Sequence, residues 1–216
     1  MRRRIFDIWH IVVRIAKDAR ELKYIPEELR GLDAVLADVY YANFSVFQSL
    51  PDVWAIEQLF PVMPIHRLNE KPKRNAILAD CTCDCDGKLD KFIDLHDVRQ
   101  SLPLHEFDPN AEYILGVFLV GAYQETLGDL HNLLGDTNIV SVRAGQDGQI
   151  AFTGEIQGDS VADVLSYVEY DPKVLVERFR NLAEQAVQSG HISLEERRKF
   201  VDSYQAGLRG YTYFEW

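Results

Sequence analysis

The sequence predicts an α+β fold: N-terminal helices, a central antiparallel, barrel-like β domain and a C-terminal helical bundle. Three observations carry this. Apolar residues recur at three-and-four spacing over residues 4–22 and again from Ser160 onward. The middle of the chain is instead broken by Pro51, Pro61 and Pro64 and by Asp-Gly and glycine-bearing turns between short apolar runs. At 216 residues the chain is also too short for a (β/α)8 barrel, which typically needs about 250.

Taken in order, residues 4–22 read as an amphipathic helix with Ile5, Ile8, Trp9, Val12, Ile15, Ala16 and Ala19 along one stripe. A self-sufficient domain would rarely start on so large an uncovered stripe, so a covering partner is expected. Pro26 can open a second helix, with Leu29, Leu32, Leu36 and Val39 on one face. Asn43 to Gln48 is short and β-like. Residues 76–85 and 88–94 predict two strands joined through Asp86-Gly87, a hairpin signal. Glu112 to Val120 is a nearly continuous apolar run, as in a buried strand, and Gly121 to Leu134 reads as helix. Residues 138–143 and 149–155 predict a second hairpin with Gly145 and Gly148 in its turn. Helices come next at about 160–169, 172–188 and 193–208, the last opened by a Ser193/Glu196 capping box. The tail from Gly210 to Trp216 is aromatic and without a clear period. The expected domains are a helical segment (1–42), a β domain with one inserted helix (43–157) and a helical domain (158–216).

With 23 Lys+Arg against 34 Asp+Glu, the net charge of −11 argues against a nucleic-acid partner, which needs clustered cations. No run of about 18 apolar residues is present, so no membrane span is expected. Asp7, His10 and Arg14 interrupt the apolar stretch after the N-terminal arginines, unlike a signal peptide. The three cysteines, Cys81, Cys83 and Cys85, are odd in number and crowded into one run, which suits a reducing, cytoplasmic setting better than a disulfide framework.

The densest reactive cluster is Asp80-Cys81-Thr82-Cys83-Asp84-Cys85-Asp86-Gly87. Zinc would want Cys pairs two to four apart and a second pair elsewhere, and neither is found. A calcium loop with Asp84, Asp86 and Gly87 in place would put Ile93 where a bidentate Glu is required. A third reading is the end of an active-site strand. Strand alternation would put the three thiols on one face and Thr82, Asp84 and Asp86 on the other, and near a tight turn it can break, letting a thiol and a carboxylate face one ligand. Composition alone favours a buried thiol face beside a solvated Asp turn. A second cluster, Gly121-Ala122-Tyr123-Gln124-Glu125, sits at a strand-to-helix junction, where free backbone N–H groups suit an anion and a tyrosine hydroxyl can donate to a phosphate. A core tyrosine on an amphipathic helix is the commoner use. A third, His131 to Thr137, fits a helix C-cap and turn better than a catalytic base.

Together these stretches resemble the biosynthetic arginine decarboxylases. The resemblance is carried by Asn43 to Asp52 (NFSVFQSLPD), Thr82 to Gly87 (TCDCDG), Val120 to Asn138 (VGAYQETLGDLHNLLGDTN) and Gly210 to Glu215 (GYTYFE), and it runs from about residue 24 to the C-terminus. It implies conversion of arginine to agmatine and CO2, feeding polyamine synthesis. It also implies pyridoxal phosphate as cofactor, with Mg2+ a second candidate, and a β domain that completes the active site across a homodimer. Cys83 matches the family's active-site cysteine, facing the substrate α-carbon. Asp84 matches the acid that meets the distal cationic group, with Asp86 a second candidate, and a guanidinium pairs well with a carboxylate through two charge-assisted bonds. Tyr123 matches the tyrosine that bonds the cofactor phosphate. Position 85, usually Ser in this pattern, is Cys85. No stretch matches the family's Schiff-base lysine, glycine-rich phosphate loop or pyridinium-binding acid, which belong to its cofactor-holding barrel; Lys71, Lys73, Lys88 and Lys91 read as surface lysines.

Three functions are therefore expected to compete. The chain is the C-terminal part of a decarboxylase, inactive alone and completed by a chain carrying the pyridoxal-phosphate barrel, or a truncated gene product. Alternatively, it is a non-catalytic regulatory paralogue that pairs with a full-length decarboxylase. The third is a free-standing oligomeric or ligand-binding module.

Overall fold

The apolar spacing of the first residues produces a long helix, α1 (Arg2–Arg20), in the computed structural model, which describes residues 2–20, 22–24, 26, 29, 31–95, 97–121 and 123–215. Among the side chains of its stripe that are described, burial grows toward the C-terminal end. Ala16 and Ala19 are buried, while Ile8, Trp9, Ile11 and Ile15 face outward. The helix expected from Pro26 falls partly on Glu27, Glu28 and Arg30, outside the described residues. Beyond them come a short helix, α2 (Leu32–Val35), and a strand, β1 (Asp38–Tyr41), so Val39 is on a strand and not on a helix face. Val39, Tyr40 and Tyr41 are β-branched or aromatic, and pairing with a neighbouring strand uses that preference.

Asn43 to Gln48 does not extend as a strand. Ser45 caps a helical turn, α3 (Val46–Ser49), its hydroxyl accepting from the Gln48 N–H at 3.2 Å. Pro51 then starts α4 (Pro51–Ile56), the position where a missing N–H costs nothing. The next β elements are β2 (Val62–Pro64), β3 (Arg74–Ala79), β4 (Lys88–Leu89), β5 (Phe92–Ile93), β6 (Val98–Arg99), β7 (Leu102–Leu104) and β8 (Leu115–Val117). A helical turn, α5 (Tyr123–Thr126), precedes the hairpin β9 (Ile139–Ala144) and β10 (Ile150–Ile156), and three helices close the chain: α6 (Val161–Tyr167), α7 (Pro172–Gln188) and α8 (Leu194–Arg209).

The chain divides into two compact units, each built from two separated stretches. One comprises residues 1–42 and 52–122, the other 43–51 and 123–216. In the first unit β3 is the organising strand. It pairs with β1 in parallel, from Asp38↔Ala76 to Tyr41↔Ala79, and antiparallel with β7 along its first half and β4 at its end. The parallel pair is made through β1, which lies in the segment expected to be helical, so the β region reaches back past the expected boundary at residue 43. The described sheets stay small and open, one of four strands and three of two, and none closes into a barrel. Alternation along β3 buries Ala76 and Leu78, which pack in a core that also holds Phe60, Leu89, Phe92, Leu102 and Leu104. The apolar run 112–120 is not a buried strand. Only Leu115–Val117 pair, and Phe118, Leu119 and Val120 are exposed.

In the second unit the hairpin β9–β10 turns through Gly145 and Gly148, as its glycines predict. Gly148 takes φ +78°, and the Gly145 N–H donates to the Gln149 carbonyl at 2.8 Å. Helix α6 begins at a Ser160/Asp163 capping box and α8 at the Ser193/Glu196 box read from the sequence. Helices α7 and α8 pack with the rings of Phe179 and Tyr204 stacked 4.4 Å apart. Val46, Phe47, Leu50, Val164, Ala183, Leu208 and Tyr213 are its buried apolar residues. No helix among the described residues is long and apolar enough to cross a membrane.

Candidate functional site

The cysteine-aspartate run is a turn and not the end of a strand. Strand β3 stops at Ala79, and the chain folds back at once. The Asp80 N–H donates to the Gly87 carbonyl at 2.8 Å, closing the base of the loop. One oxygen of the Asp80 carboxylate, Oδ1, accepts from the Thr82 N–H at 2.8 Å and from the Thr82 hydroxyl at 2.7 Å. Nearer the tip, the Asp84 carboxylate accepts from the Asp86 N–H at 2.9 Å, and the Gly87 N–H donates to the Asp84 carbonyl at 3.1 Å. Asx turns of this kind offer the backbone a substitute for the ladder, so the strand expected over 76–85 ends early and the alternation of thiols with acids does not arise. Cys81 and Asp84 are half-buried, while Cys83, Cys85 and Asp86 are exposed. The expected buried thiol face is therefore absent.

The hairpin itself is real, with Leu78↔Leu89 and Ala79↔Lys88 in register, but its connection spans the whole of residues 80–87. Ligand atoms of Asp84, Cys85 and Asp86 lie within 4.8 Å of one another. The local charge is acidic. Lys88, the cation beside it, is bound to Asp90 at 3.0 Å; that hydrogen bond and charge push its pKa up, with Asp86 adding to the effect. A loop of this sign and exposure suits a cationic partner.

Tyr123 lies in the second unit, at the first position of α5, with its ring 71% exposed. The helix expected over 121–134 is only four residues long here, too short to build an anion-attracting terminus, and Ala122 of that motif lies outside the described residues. Its early end has a packing cause. A Cβ on Gly128 would sit 2.7 Å from the Gln48 carbonyl oxygen, so only glycine passes, and the next N–H, of Asp129, donates to the Phe47 carbonyl at 3.0 Å. The ring of His131 then stacks on Phe47 with centroids 4.3 Å apart, and Asn132 turns the chain with φ 59°. His131 and Asn132 thus shape this turn.

The rest of the 120–138 stretch is tied to the two other motif stretches of the same unit. The Gln48 amide donates to the Asp136 carboxylate, which burial and the neighbouring Asp159 together hold above the usual carboxylate range. The Gly135 N–H donates to the Thr212 hydroxyl at 3.0 Å, and the Gly135 carbonyl accepts from the Tyr213 hydroxyl at 2.9 Å. The Asn138 N–H donates to the Tyr211 hydroxyl at 3.2 Å. Asn43 pairs twice with the Phe214 backbone, at 2.8 and 3.1 Å. The aromatic tail is therefore a clamp on residues 135–138, except for Trp216, which lies outside the described residues. Sequence reasoning left Gln48, Asp136 and Tyr213 without a role; the long distances in sequence between these partners hid it.

Residues 161–214 match the arginine decarboxylase C-terminal helical extension. The chain is 52% identical over 207 residues to the biosynthetic arginine decarboxylase of Bacteroides thetaiotaomicron, covering 96% of this chain and 33% of that protein. It is 51% identical over 209 residues to that of Gloeobacter violaceus, covering 95% of this chain and 32% of the relative. The chain belongs to the biosynthetic arginine decarboxylase family. It spans about a third of the length of the curated relatives it matches. The crystal structure of the biosynthetic arginine decarboxylase SpeA from Campylobacter jejuni is similar at a TM-score of 0.69 and 34% identity, over 82% of this chain and 29% of that one. The decarboxylase family thus accounts for nearly the whole chain, both units included.

Proposed function

We propose that the chain is the C-terminal part of an arginine decarboxylase and that each of its two units supplies residues to decarboxylase active sites. The observation that carries this is the alignment of 96% of the chain with biosynthetic arginine decarboxylases at about half identity. The geometry of the acidic loop supports it. Asp84 and Asp86 offer carboxylates to the guanidinium of arginine. Cys83, exposed at the tip of the same loop, faces the substrate α-carbon, where a thiol can deliver the proton that replaces the lost carboxyl group. Tyr123 donates its hydroxyl to a cofactor phosphate. The substrate is arginine, and the product agmatine enters polyamine synthesis.

The described residues do not make a complete site for pyridoxal phosphate, the cofactor that the family implies. Its attachment needs a lysine whose amine can shed its proton. Lys88 is held protonated by Asp90, Lys91 is paired with Glu57 at 3.0 Å and Lys199 with Glu195 at 2.8 Å, and Lys17, Lys23, Lys71, Lys73 and Lys173 are exposed. The attaching lysine would therefore come from residues other than these, in the cofactor-holding part of a decarboxylase, and residues 1–216 alone make no agmatine.

The test is to mix the purified chain with a chain carrying the cofactor-holding part of a biosynthetic arginine decarboxylase, and to measure agmatine. Formation of agmatine only in the mixture, with loss of at least a hundredfold on Cys83→Ala or Asp84→Ala, is expected. A mixture that makes none, or one indifferent to both substitutions, refutes the assignment. Agmatine from the chain alone refutes the claim that it is incomplete.

A further inference from the structure

We propose that Asp80 is a positioning residue for the cysteine-aspartate loop: its buried carboxylate, bound to Thr82 and roofed by Gly87, sets how Cys83 and Asp84 are presented. That these two side chains meet a substrate rests on the function proposed above; the positioning itself rests on the loop.

Asp80 is buried by the period of its own strand. Ala76 and Leu78 point into the core, and Asp80 is the next residue in that alternation, one position beyond the end of β3. At 1% exposure it is among the most buried side chains described, in a place where an apolar residue would continue the pattern. A carboxylate tolerates such burial only when its oxygens are hydrogen-bonded. Here Oδ1 takes both donors of Thr82, the backbone N–H and the hydroxyl, so residue 82 is fixed in position and in rotamer by a single oxygen.

Gly87 closes the other side. A Cβ there would run into Asp80 Oδ1 and would come within 2.5 Å of the Thr82 hydroxyl oxygen, so the return strand can approach the carboxylate only as glycine. With the Asp80 N–H on the Gly87 carbonyl, the loop is pinned at 80, 82 and 87. Residues 83–86 are what remains between the pins. Cys83 directly follows the doubly held Thr82, and Asp84 directs its own backbone carbonyl to Gly87. The path of the backbone that carries both is therefore set from Asp80, which itself has no access to a substrate, while the Asp84 carboxylate is further held on the Asp86 N–H.

The experiment uses the intact chain and compares Thr82→Val, which keeps the shape and removes the hydroxyl donor, with Thr82→Ser, which keeps the donor. Gly87→Ala opens the same knot from its other side. Two readouts are taken: the ratio of Cys83 to Cys85 alkylation by iodoacetamide, resolved by mass spectrometry, and amide hydrogen exchange at Asp80, Thr82 and Gly87. Exchange at Leu78 and Leu102 in the adjoining ladders reports the sheet. Thr82→Val and Gly87→Ala should shift the alkylation ratio at least threefold and speed loop exchange about tenfold, with Leu78 and Leu102 unchanged. Thr82→Ser should stay within twofold of the natural chain.

An unchanged ratio in Thr82→Val and Gly87→Ala overturns the proposal, as does a Thr82→Ser variant that behaves like Thr82→Val. Ladder exchange that rises together with loop exchange also overturns it, because the knot would then only hold the sheet together. None of these readouts needs decarboxylation. If they come out as expected while the mixture with the cofactor-bearing chain yields no agmatine, the decarboxylase assignment falls and the positioning role stands.

Discussion

Replacing Tyr213 by Phe tests whether the aromatic tail is a clamp. The Tyr213 ring is only 6% exposed, and its hydroxyl donates to the Gly135 carbonyl at 2.9 Å, a bond buried at both ends. Phenylalanine keeps the ring and leaves no large cavity, so the change removes this hydrogen bond without removing the packing. Gly135 is buried, so its carbonyl loses a partner that water cannot easily replace. Stranding a buried acceptor costs about 1–3 kcal/mol. Taking about 1–2 kcal/mol, because a glycine carbonyl can shift slightly to find water, the equilibrium for local opening changes by a factor of about 5–30. Amide hydrogen exchange reads this directly. The Gly135 N–H, held by Thr212 at 3.0 Å, should lose protection by that factor, while amides in the middle of α7 keep theirs. A change below twofold at Gly135 would refute the argument that the tail holds the 135–138 segment in place.

Ser193→Ala removes the hydroxyl side of the capping box at the start of α8, where the Ser193 hydroxyl accepts from the Glu196 N–H at 3.2 Å and donates to the Glu196 carboxylate at 2.8 Å, and leaves the Ser193 N–H on that carboxylate. A loss of about 1 kcal/mol is expected in urea unfolding followed by far-ultraviolet circular dichroism, with m unchanged. The same box has a pH signature. Hydrogen bonds from the Ser193 backbone and hydroxyl lower the Glu196 pKa from its ordinary 4.5, so the stabilisation is present above that value and is lost as pH falls through the lowered folded pKa. An NMR titration of the Glu196 carboxyl should show its midpoint rise in Ser193→Ala; an unmoved midpoint would contradict the cap. Asp136 has the opposite sign. Burial first, then Asp159, raise its pKa from 3.8, so its contribution is fullest below that value and fades as pH rises through the raised folded pKa.

Features set by local chemistry could be read directly from the sequence. The periodic helices α1, α7 and α8, the Ser193 capping box and the glycine turn of β9–β10 all depend on residues close together in the chain. Features set by distant partners could not. Asn43 to Gln48 looks β-like until the Ser45 cap is recognised, and the segment 121–134 has helical spacing that is broken where Gly128 meets the Gln48 carbonyl. The run 112–120 is apolar enough to be core, yet Leu119 is 84% exposed, because apolar composition says nothing about what lies opposite. In the candidate site, the residue types were legible at Cys83 and Asp84, but their faces were misread. Strand alternation was extended past Ala79, where the Asp80 carboxylate had already turned the chain.

The division of the chain into interleaved units has a consequence for the order of its synthesis. Residues 43–51 belong with 123–216 and not with their neighbours on either side. Ser45, Val46, Phe47, Gln48 and Leu50, all buried in the finished protein, leave the ribosome long before the residues that cover them. At about 5–20 residues per second, the stretch up to Gly128 takes roughly 4–16 s to appear. During that interval a small apolar segment waits uncovered between two parts of a unit that is itself still folding, so its side chains are exposed to water until residues 123–216 arrive. The same interleaving means that one proteolytic cut anywhere in 52–122 severs the second unit from a piece of its own core.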